Sequence, residues 1–300
     1  MKGQTILDIE PNTKICVTCG NSKLGGNVIK YLLEKNVPPK NIITTVRSLA
    51  KGENLKKKGI QIRIADYKDI ESLIKAFEGV DRIYMVSSIG EPNYPRDKQH
   101  LNVVEAAKKC GVKLIVYSSF VNCMENTNIV ANDHKYTEKI IEQSGLNYSH
   151  ARNSTYLDTE GELFKFLLKK ENDFFYSSCD KKFSMALVRE LGEAGACILL
   201  QKEPKKIYEL TGRLVSYDEM KNTMEKITGK KIKIINVPNE EIDKKLKELG
   251  FGMYYCMKCK FMNPYYEKGI YDIESVDMEE LFGHPVDDLE KVIKEVIDSS

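Results

Sequence analysis

The stretch at residues 14–33, KICVTCGNSKLGGNVIKYLL, reads as one strand, one glycine-bearing turn and one helix in immediate succession. Ile15 and Val17 are β-branched strand formers, and residues 18–22 are turn formers. Leu24, Val28, Ile29, Leu32 and Leu33 then recur with the spacing of one helical face. A helix burying that stripe against a sheet aims its first backbone N–H groups and the positive end of its dipole at the space above the strand's carboxyl end, where an anion is favoured. The order strand, glycine turn, helix is how a dinucleotide-binding site begins. Its glycines depart from the usual fingerprint. With Leu24-Gly25 aligned to the end of that pattern, Cys19 stands at the first glycine position and Ser22 at the second, and Gly25 alone is in register. A Cβ at either place threatens the tight turn or the approach of backbone to pyrophosphate. The phosphate loop of nucleoside triphosphatases is excluded, because Gly25 is followed by Gly26 and Asn27 rather than Lys and Ser or Thr.

The 300 residues, 42% hydrophobic and 30% charged, describe an ordinary globular chain. A net charge of +2, with lysines scattered or in solvated runs such as Lys56-Lys57-Lys58, argues against a nucleic-acid-binding stripe. The first residues show no apolar signal core, and no run approaches the roughly 18 apolar residues of a membrane span, so a cytoplasmic location is expected. Eight cysteines without a secretion signal are read as reduced thiols. The C-x-x-C pairs Cys16/Cys19 and Cys256/Cys259 are read as core cysteines and not as zinc or redox centres, because Cys16 lies within a strand and the second pair has no His nearby. No metal site is expected.

Beyond the first helix the pattern alternates strictly. Strands are expected at 41–46, 61–65, 81–86, 113–117 and 147–152, and helices at 51–58, 69–77, 96–109 and 133–144. Such alternation makes a doubly wound parallel α/β sheet with right-handed crossovers, whose ligands sit at the carboxyl edge of the strands. The second strand stops at Arg47, with Ser48 and Lys51 beside it and no acid before Glu53. An acid about 20 residues past the glycines holds a ribose 2′-OH, whereas Arg accommodates a 2′-phosphate, so NADP(H) is favoured over NAD(H). The alternative is an exposed arginine that merely opens a loop.

These features carry a wider resemblance. Val46-Arg47 with Ala50-Lys51, Ala65-Asp66-Tyr67, Gly79-Val80-Asp81, the run from Gln99 to Ala107, Tyr117-Ser118-Ser119, Asp133-His134, Thr137-Glu138, Arg152-Asn153, Tyr156, Tyr208 to Gly212, and Gly283-His284-Pro285 resemble the NmrA-like atypical short-chain dehydrogenase/reductases, and within them the NADPH-dependent quinone oxidoreductase branch. The resemblance spans nearly the whole chain. It implies a Rossmann domain over residues 1–153 and a smaller mixed α/β substrate-side lobe over 154–300, interlocked with it. In that lobe helices are expected at 156–169, 184–200, 217–228, 240–249 and 287–297, with strands at 206–210 and 231–236 beside the main sheet. Residues 250–268, rich in Tyr, Met and Cys, either close the core or line a pocket, and core is the preferred reading.

The candidate cofactor-binding residues are Thr18, Gly20, Ser22, Lys23, Leu24, Gly25, Arg47, Lys51, Asp66, Ser87, Ser88, Tyr117, Ser118, Ser119 and Arg152. The Tyr-x-x-x-Lys pair of ordinary short-chain dehydrogenases, which protonates a developing alkoxide, is absent after Ser118-Ser119. Tyr31/Lys35 lies on the first helix and Tyr217/Lys221 in the smaller lobe. In its place stands His134, expected just inside a helix start capped by Asn132 or Asp133, as the quinone-reductase branch resembles this chain in having. The candidate catalytic residues are His134, Asn153 and Tyr156, the last two implied by the resemblance to border nicotinamide and substrate. Ser154-Thr155 stands where that branch often has Gly-Trp, so the substrate can differ. Arg152 has the alternative reading of a structural ion pair. The function expected is hydride transfer from NADPH to a quinone or similar carbonyl acceptor, by a monomer or homodimer. The alternative is a non-catalytic NADP(H)-sensing regulator that acts on a protein partner.

Overall fold

A computed structural model describes residues 9–169, 171–177 and 179–299, and they fall into two compact units. The first is built from residues up to Met124, Ile129–Asn153 and Val188–Leu210. It runs β1 (Ile15–Val17), α1 (Lys23–Glu34), β2 (Ile42–Val46), α2 (Glu53–Lys56), β3 (Gln61–Ile64), α3 (Ile70–Phe77), β4 (Arg82–Met85), α4 (Arg96–Lys109), β5 (Leu114–Phe120), α5 (Ile129–Gln143) and β6 (Tyr148–Asn153). The second unit holds β7 (Thr155–Tyr156), α6 (Gly161–Leu168), β8 (Phe174–Ser177) and β9 (Phe183–Ala186). The chain returns to the first unit for α7 (Val188–Leu200) and β10 (Ile207–Leu210). It ends in the second with β11 (Arg213–Val215), α8 (Tyr217–Thr228), β12 (Lys233–Asn236), α9 (Asn239–Glu248), α10 (Met253–Glu267), α11 (Asp277–Phe282) and α12 (Leu289–Ser299). The division expected at 153/154 is thus crossed by 125–128 and by 188–210.

In the first unit a seven-stranded sheet has the order β10-β6-β5-β4-β1-β2-β3, and every pairing in it is parallel. This is the doubly wound order with one strand added, and its switch point lies between β1 and β4. One sheet face is closed by α3 and α4 around Cys16, Ile43, Phe77, Ile83, Val103 and Ile115. Against α1 packs α7, and a glycine lets it come close: a Cβ built on Gly192 falls 2.5 Å from Asn27 Cβ and 3.0 Å from its backbone carbon. Local signals fix the helices. Asp69 caps α3 by accepting from Glu71 N and Ser72 N, and Ser216 with Glu219 forms a capping box on α8, which stops at Gly229 in the left-handed region.

Several expectations need correction. The helix expected at 133–144 begins at Ile129, so Asn132 and Asp133 are interior residues and His134 lies in the second turn, on the buried stripe with Ala131, Thr137, Glu138 and Ile141. Nothing in Ile129-Val130-Ala131 opposes a helix, so the polar pair that follows does not start one. Residues 156–160 form the end of β7 and a 3-10 turn, leaving α-helix only from Gly161. Phe183–Ala186, partly assigned to a helix, is a strand between β11 and β7; it is buried throughout, and a short apolar run does not distinguish strand from helix. β12 does not join the main sheet but pairs in parallel with β8 as a separate ribbon. Among the described residues no helix is long and apolar enough to cross a membrane.

Gly192→Ala tests the close packing of α7 on α1. Helix propensity alone would stabilise the protein by about 1 kcal/mol. The clash with Asn27 is expected to outweigh this and give a net loss of roughly 1–3 kcal/mol in urea denaturation. A variant more stable than the wild type would show that the helices can separate without cost.

Candidate active site

The carboxyl edge of the first unit is organised around the end of β1. Thr18 is fully buried; its Oγ1 accepts from Val86 N at 2.9 Å and lies 3.2 Å from Tyr84 O and 2.5 Å from the Tyr67 hydroxyl, which also reaches Val86 O at 2.8 Å. Thr44 Oγ1 donates to Val17 O at 2.7 Å, and Thr45 Oγ1 accepts from Cys19 N at 3.2 Å. This framework shapes the turn. A Cβ on Gly20 would stand 2.0 Å from Thr44 Oγ1, and one on Gly25 2.6 Å from Cys19 O, so both positions exclude side chains. Cys19 adopts φ +53, the left-handed conformation that glycine favours, while Ser22 is relaxed at φ −77 and caps α1 by accepting from Gly25 N at 3.1 Å. At the tip of β2, Arg47, Ser48 and Lys51 are exposed, and Arg47 makes no hydrogen bond or ion pair among the described residues. Asp66 closes a turn, with Oδ1 accepting from Lys68 N at 2.9 Å.

The ends of β4 and β5 are tied to α4 and α5. Ser87 N donates to Ser118 Oγ at 2.8 Å, and Ser88 N donates to His100 Nε2 at 3.0 Å. Thr137 gives its hydroxyl proton to Asp133 O, so His100 Nδ1–H donates to Thr137 Oγ1 at 2.8 Å and Nε2 is the acceptor. Burial, aided by Arg96, pushes the His100 imidazole down to about 3. His134 is placed alike: Nδ1 lies 2.8 Å from the Tyr117 hydroxyl and Nε2 lies 3.4 Å from Arg96 Nη1. Arginine can only donate, so Nε2 accepts and Nδ1–H faces Tyr117. Burial first, and Arg96 second, hold His134 far below the ordinary imidazole range. It is a neutral imidazole at neutral pH.

At the end of β6, Arg152 is held by two carboxylates. Its Nε and Nη2 donate to Glu138 at 2.9 and 2.7 Å and its Nη1 to Glu209 at 2.8 Å, while Ser119 Oγ donates to Glu138 at 2.5 Å. Burial would raise the Glu138 carboxyl, but the Arg152 guanidinium holds it below its usual range. Thr18, Ser119 and Arg152 are therefore bound into the framework of the edge. Asn153 Oδ1, Ser88 Oγ and Arg96 Nε differ: each is buried without a hydrogen-bond partner among the described residues. Tyr156 belongs to the second unit, on β7 beside Ala186, and is not among the residues that the first unit brings together.

His100, Arg96, Glu138 and Glu209 carry this edge but were not named as candidates, because their roles depend on partners in other elements. Tyr94/Lys98 and Tyr254/Lys258 also have the Tyr-x-x-x-Lys spacing. Neither is a catalytic pair: Tyr94 OH accepts from Asn102 at 2.9 Å, and Lys258 is bound to Glu160 with Tyr254 exposed. Glu138, Glu142 and His150 bring possible metal-ligand atoms within 4.8 Å of one another, but Arg152 already supplies the cation at Glu138. All eight cysteines are free thiols, and burial pushes Cys16 up to about 12. A recess of about 1000 Å³ at the opposite, amino-terminal edge is lined by self-paired charges such as Lys113 with Asp81 and lacks these features.

The fold and this edge define a Rossmann-like nucleotide-binding protein. The chain belongs to the NmrA-like family, whose profile matches residues 11–291. It is 30% identical over 278 residues to quinone oxidoreductase 2 of Escherichia coli K12, a match covering 90% of this chain and 94% of that protein. Among solved structures it is similar to the Citrobacter sp. triphenylmethane reductase complexed with NADP(H), with a TM-score of 0.87 and 28% identity over 94% of this chain and 99% of that one. It is similar too to the E. coli NADPH-dependent quinone oxidoreductase complexed with NADPH, with a TM-score of 0.85 and 28% identity over the same shares.

Removing the Glu138 carboxylate leaves Arg152 paired with Glu209 alone and without its two charge-assisted bonds to Glu138. Glu138→Gln is therefore expected to cost about 1–3 kcal/mol of stability at neutral pH. Because folding lowers the Glu138 pKa, its contribution is complete above the unfolded value near 4.5 and is lost as pH falls through the lower folded value. The difference in urea midpoint between wild type and variant should be largest near pH 7 and narrow as pH falls from about 4.5 to 3. A constant difference across that range would show that Glu138 acts through packing rather than charge.

Proposed function

We propose that the chain is an NADPH-dependent oxidoreductase that reduces a small quinone or similar carbonyl acceptor. The observation that carries this is the coincidence, along one carboxyl sheet edge, of the α1 N-terminus, an unpaired Arg47 and buried polar atoms that lack partners among the described residues at Ser88 and Asn153. A bound NADPH would supply two electrons as hydride. Lys23 and Leu24, at the start of α1, would meet its phosphates, while Ser22, whose N–H closes the turn on Cys19 O, and Gly20 and Gly25 keep that turn tight. Arg47 and Lys51 would hold the 2′-phosphate, and Ser87, Ser88, Tyr117, Ser118 and Asn153 would border the nicotinamide end. His134, neutral and donating to Tyr117, orients that edge and can offer no imidazolium proton. Tyr156 is a candidate for the acceptor side. Thr18, Asp66, Ser119 and Arg152 hold the residues that make contact. The names of the relatives, both reductases matched over nearly their full lengths, favour turnover over the sensing alternative. Binding without turnover would favour the sensor.

The cofactor reading is tested by calorimetric titration of Arg47→Ala. Loss of a charge-assisted phosphate contact, on the order of 1.5–3 kcal/mol, should weaken NADPH about ten- to a hundredfold and leave NADH nearly unchanged. Equal losses would remove the 2′-phosphate from Arg47. The neutral His134 predicts a kcat profile for quinone reduction without an inflection near pH 6.5. An inflection there that disappears in His134→Asn would show an imidazole that titrates during turnover.

A further inference from the structure

Arg96 opens α4 at the carboxyl edge of the first unit. Its guanidinium lies 3.4 Å from His134 Nε2 and 3.7 Å from Asp133 Oδ2; its side chain is 16% exposed, and its Nε is buried without a partner among the described residues. Asp133 is 48% exposed, so water screens most of its charge. On the same helix end the Asp97 carboxylate accepts from the Lys98 backbone N–H at 2.8 Å. Two neutral imidazoles and a poorly compensated guanidinium therefore stand beside the ends of β4 and β5.

Resting on the oxidoreductase reading above, we propose that Arg96 is a specificity-determining residue that sets the charge class of the acceptor. Neutral acceptors that become anions on reduction are favoured, and acceptors that are already cations are disfavoured. The two relatives bracket this choice in their names. A quinone that takes up a hydride becomes a hydroquinone monoanion and then takes one proton from water, with NADP⁺ as the other product. A triarylmethane cation that takes up the same hydride becomes a neutral leuco compound, with NADP⁺ again formed and no proton consumed. The acceptor's charge thus goes from 0 to −1 in the first reaction and from +1 to 0 in the second. A nearby guanidinium stabilises the first outcome and repels the second substrate. At roughly 6–12 Å and an effective dielectric of about 20, one unit charge changes such a preference by roughly ten- to a hundredfold.

The test compares wild type, Arg96→Gln, Arg96→Lys and Asp133→Asn with benzoquinone and with crystal violet. It measures kcat/KM with NADPH and, without turnover, the affinity of each acceptor for protein saturated with NADP⁺. Arg96→Gln should shift both quinone-to-dye ratios toward the dye by about tenfold or more. Arg96→Lys should keep the wild-type preference, and Asp133→Asn should shift it about two- to threefold away from the dye. The proposal fails if the ratios of Arg96→Gln stay within about twofold of wild type, or if Arg96→Lys matches Arg96→Gln, which would make shape the cause. If melting shows that Arg96→Gln does not fold, Arg96→Lys and Asp133→Asn decide. If wild type reduces neither acceptor, the oxidoreductase reading falls, and the affinity ratios still decide the role of Arg96.

Discussion

The architecture of the ligand edge depends on one buried hydroxyl. Ladder pairing of β1 with β4 stops at Val17 and Tyr84, so just beyond it the Val86 amide would be buried without an acceptor. Thr18 Oγ1 takes that proton while meeting Tyr67 and Tyr84, and so ties β1, β4 and the segment after β3 where the strands diverge. An unsatisfied buried amide costs about 1–3 kcal/mol, and a crevice floor is where it would most easily occur. Thr44 and Thr45 on β2 do the same for the other side of the turn. Side chains replace the ladder there, and the crevice stays open without leaving polar backbone unpaired.

That framework accounts for the unusual turn. Cys19 can hold a left-handed conformation because its amide is anchored to Thr45, and the strain of such a position is of order 1 kcal/mol. Ser22 does not mimic a glycine. Its hydroxyl turns back onto the helix it precedes and engages Gly25 N, so an approaching anion and this hydroxyl compete for one donor. An added Cβ at Gly20 would come within 2.0 Å of Thr44 Oγ1 on the neighbouring strand, so this glycine answers to the sheet and not to a ligand.

The first half of the chain was legible because each strand and helix announces itself by period and punctuation, and the parallel order follows from strict alternation. The second half was less so: β7, β8, β9 and β11 are two to four residues long, and none shows a clean alternation of apolar and polar residues. Of the site, the Arg47 cluster could be read from spacing along the chain. The neutral state of His134 could not, because it depends on burial of the inner face of α5 and on Arg96, 38 positions earlier. Arg152 shows the limit most clearly, since the carboxylates that hold it stand 14 and 57 positions away along the chain.

The close seat of α7 on α1 also bears on the order in which the chain can be completed. The partners Asn27 and Gly192 are joined only after the whole excursion through β7, β8 and β9 has been made, and β10 adds to the sheet later still. A ribosome that has released the first 153 residues has produced six strands but not the helix that covers Val28, nor the neighbour for β6. The nascent dinucleotide half therefore has an uncovered apolar face and an open strand edge until residue 210 emerges, a long-range closure that slows folding and extends its exposure to aggregation and to chaperones.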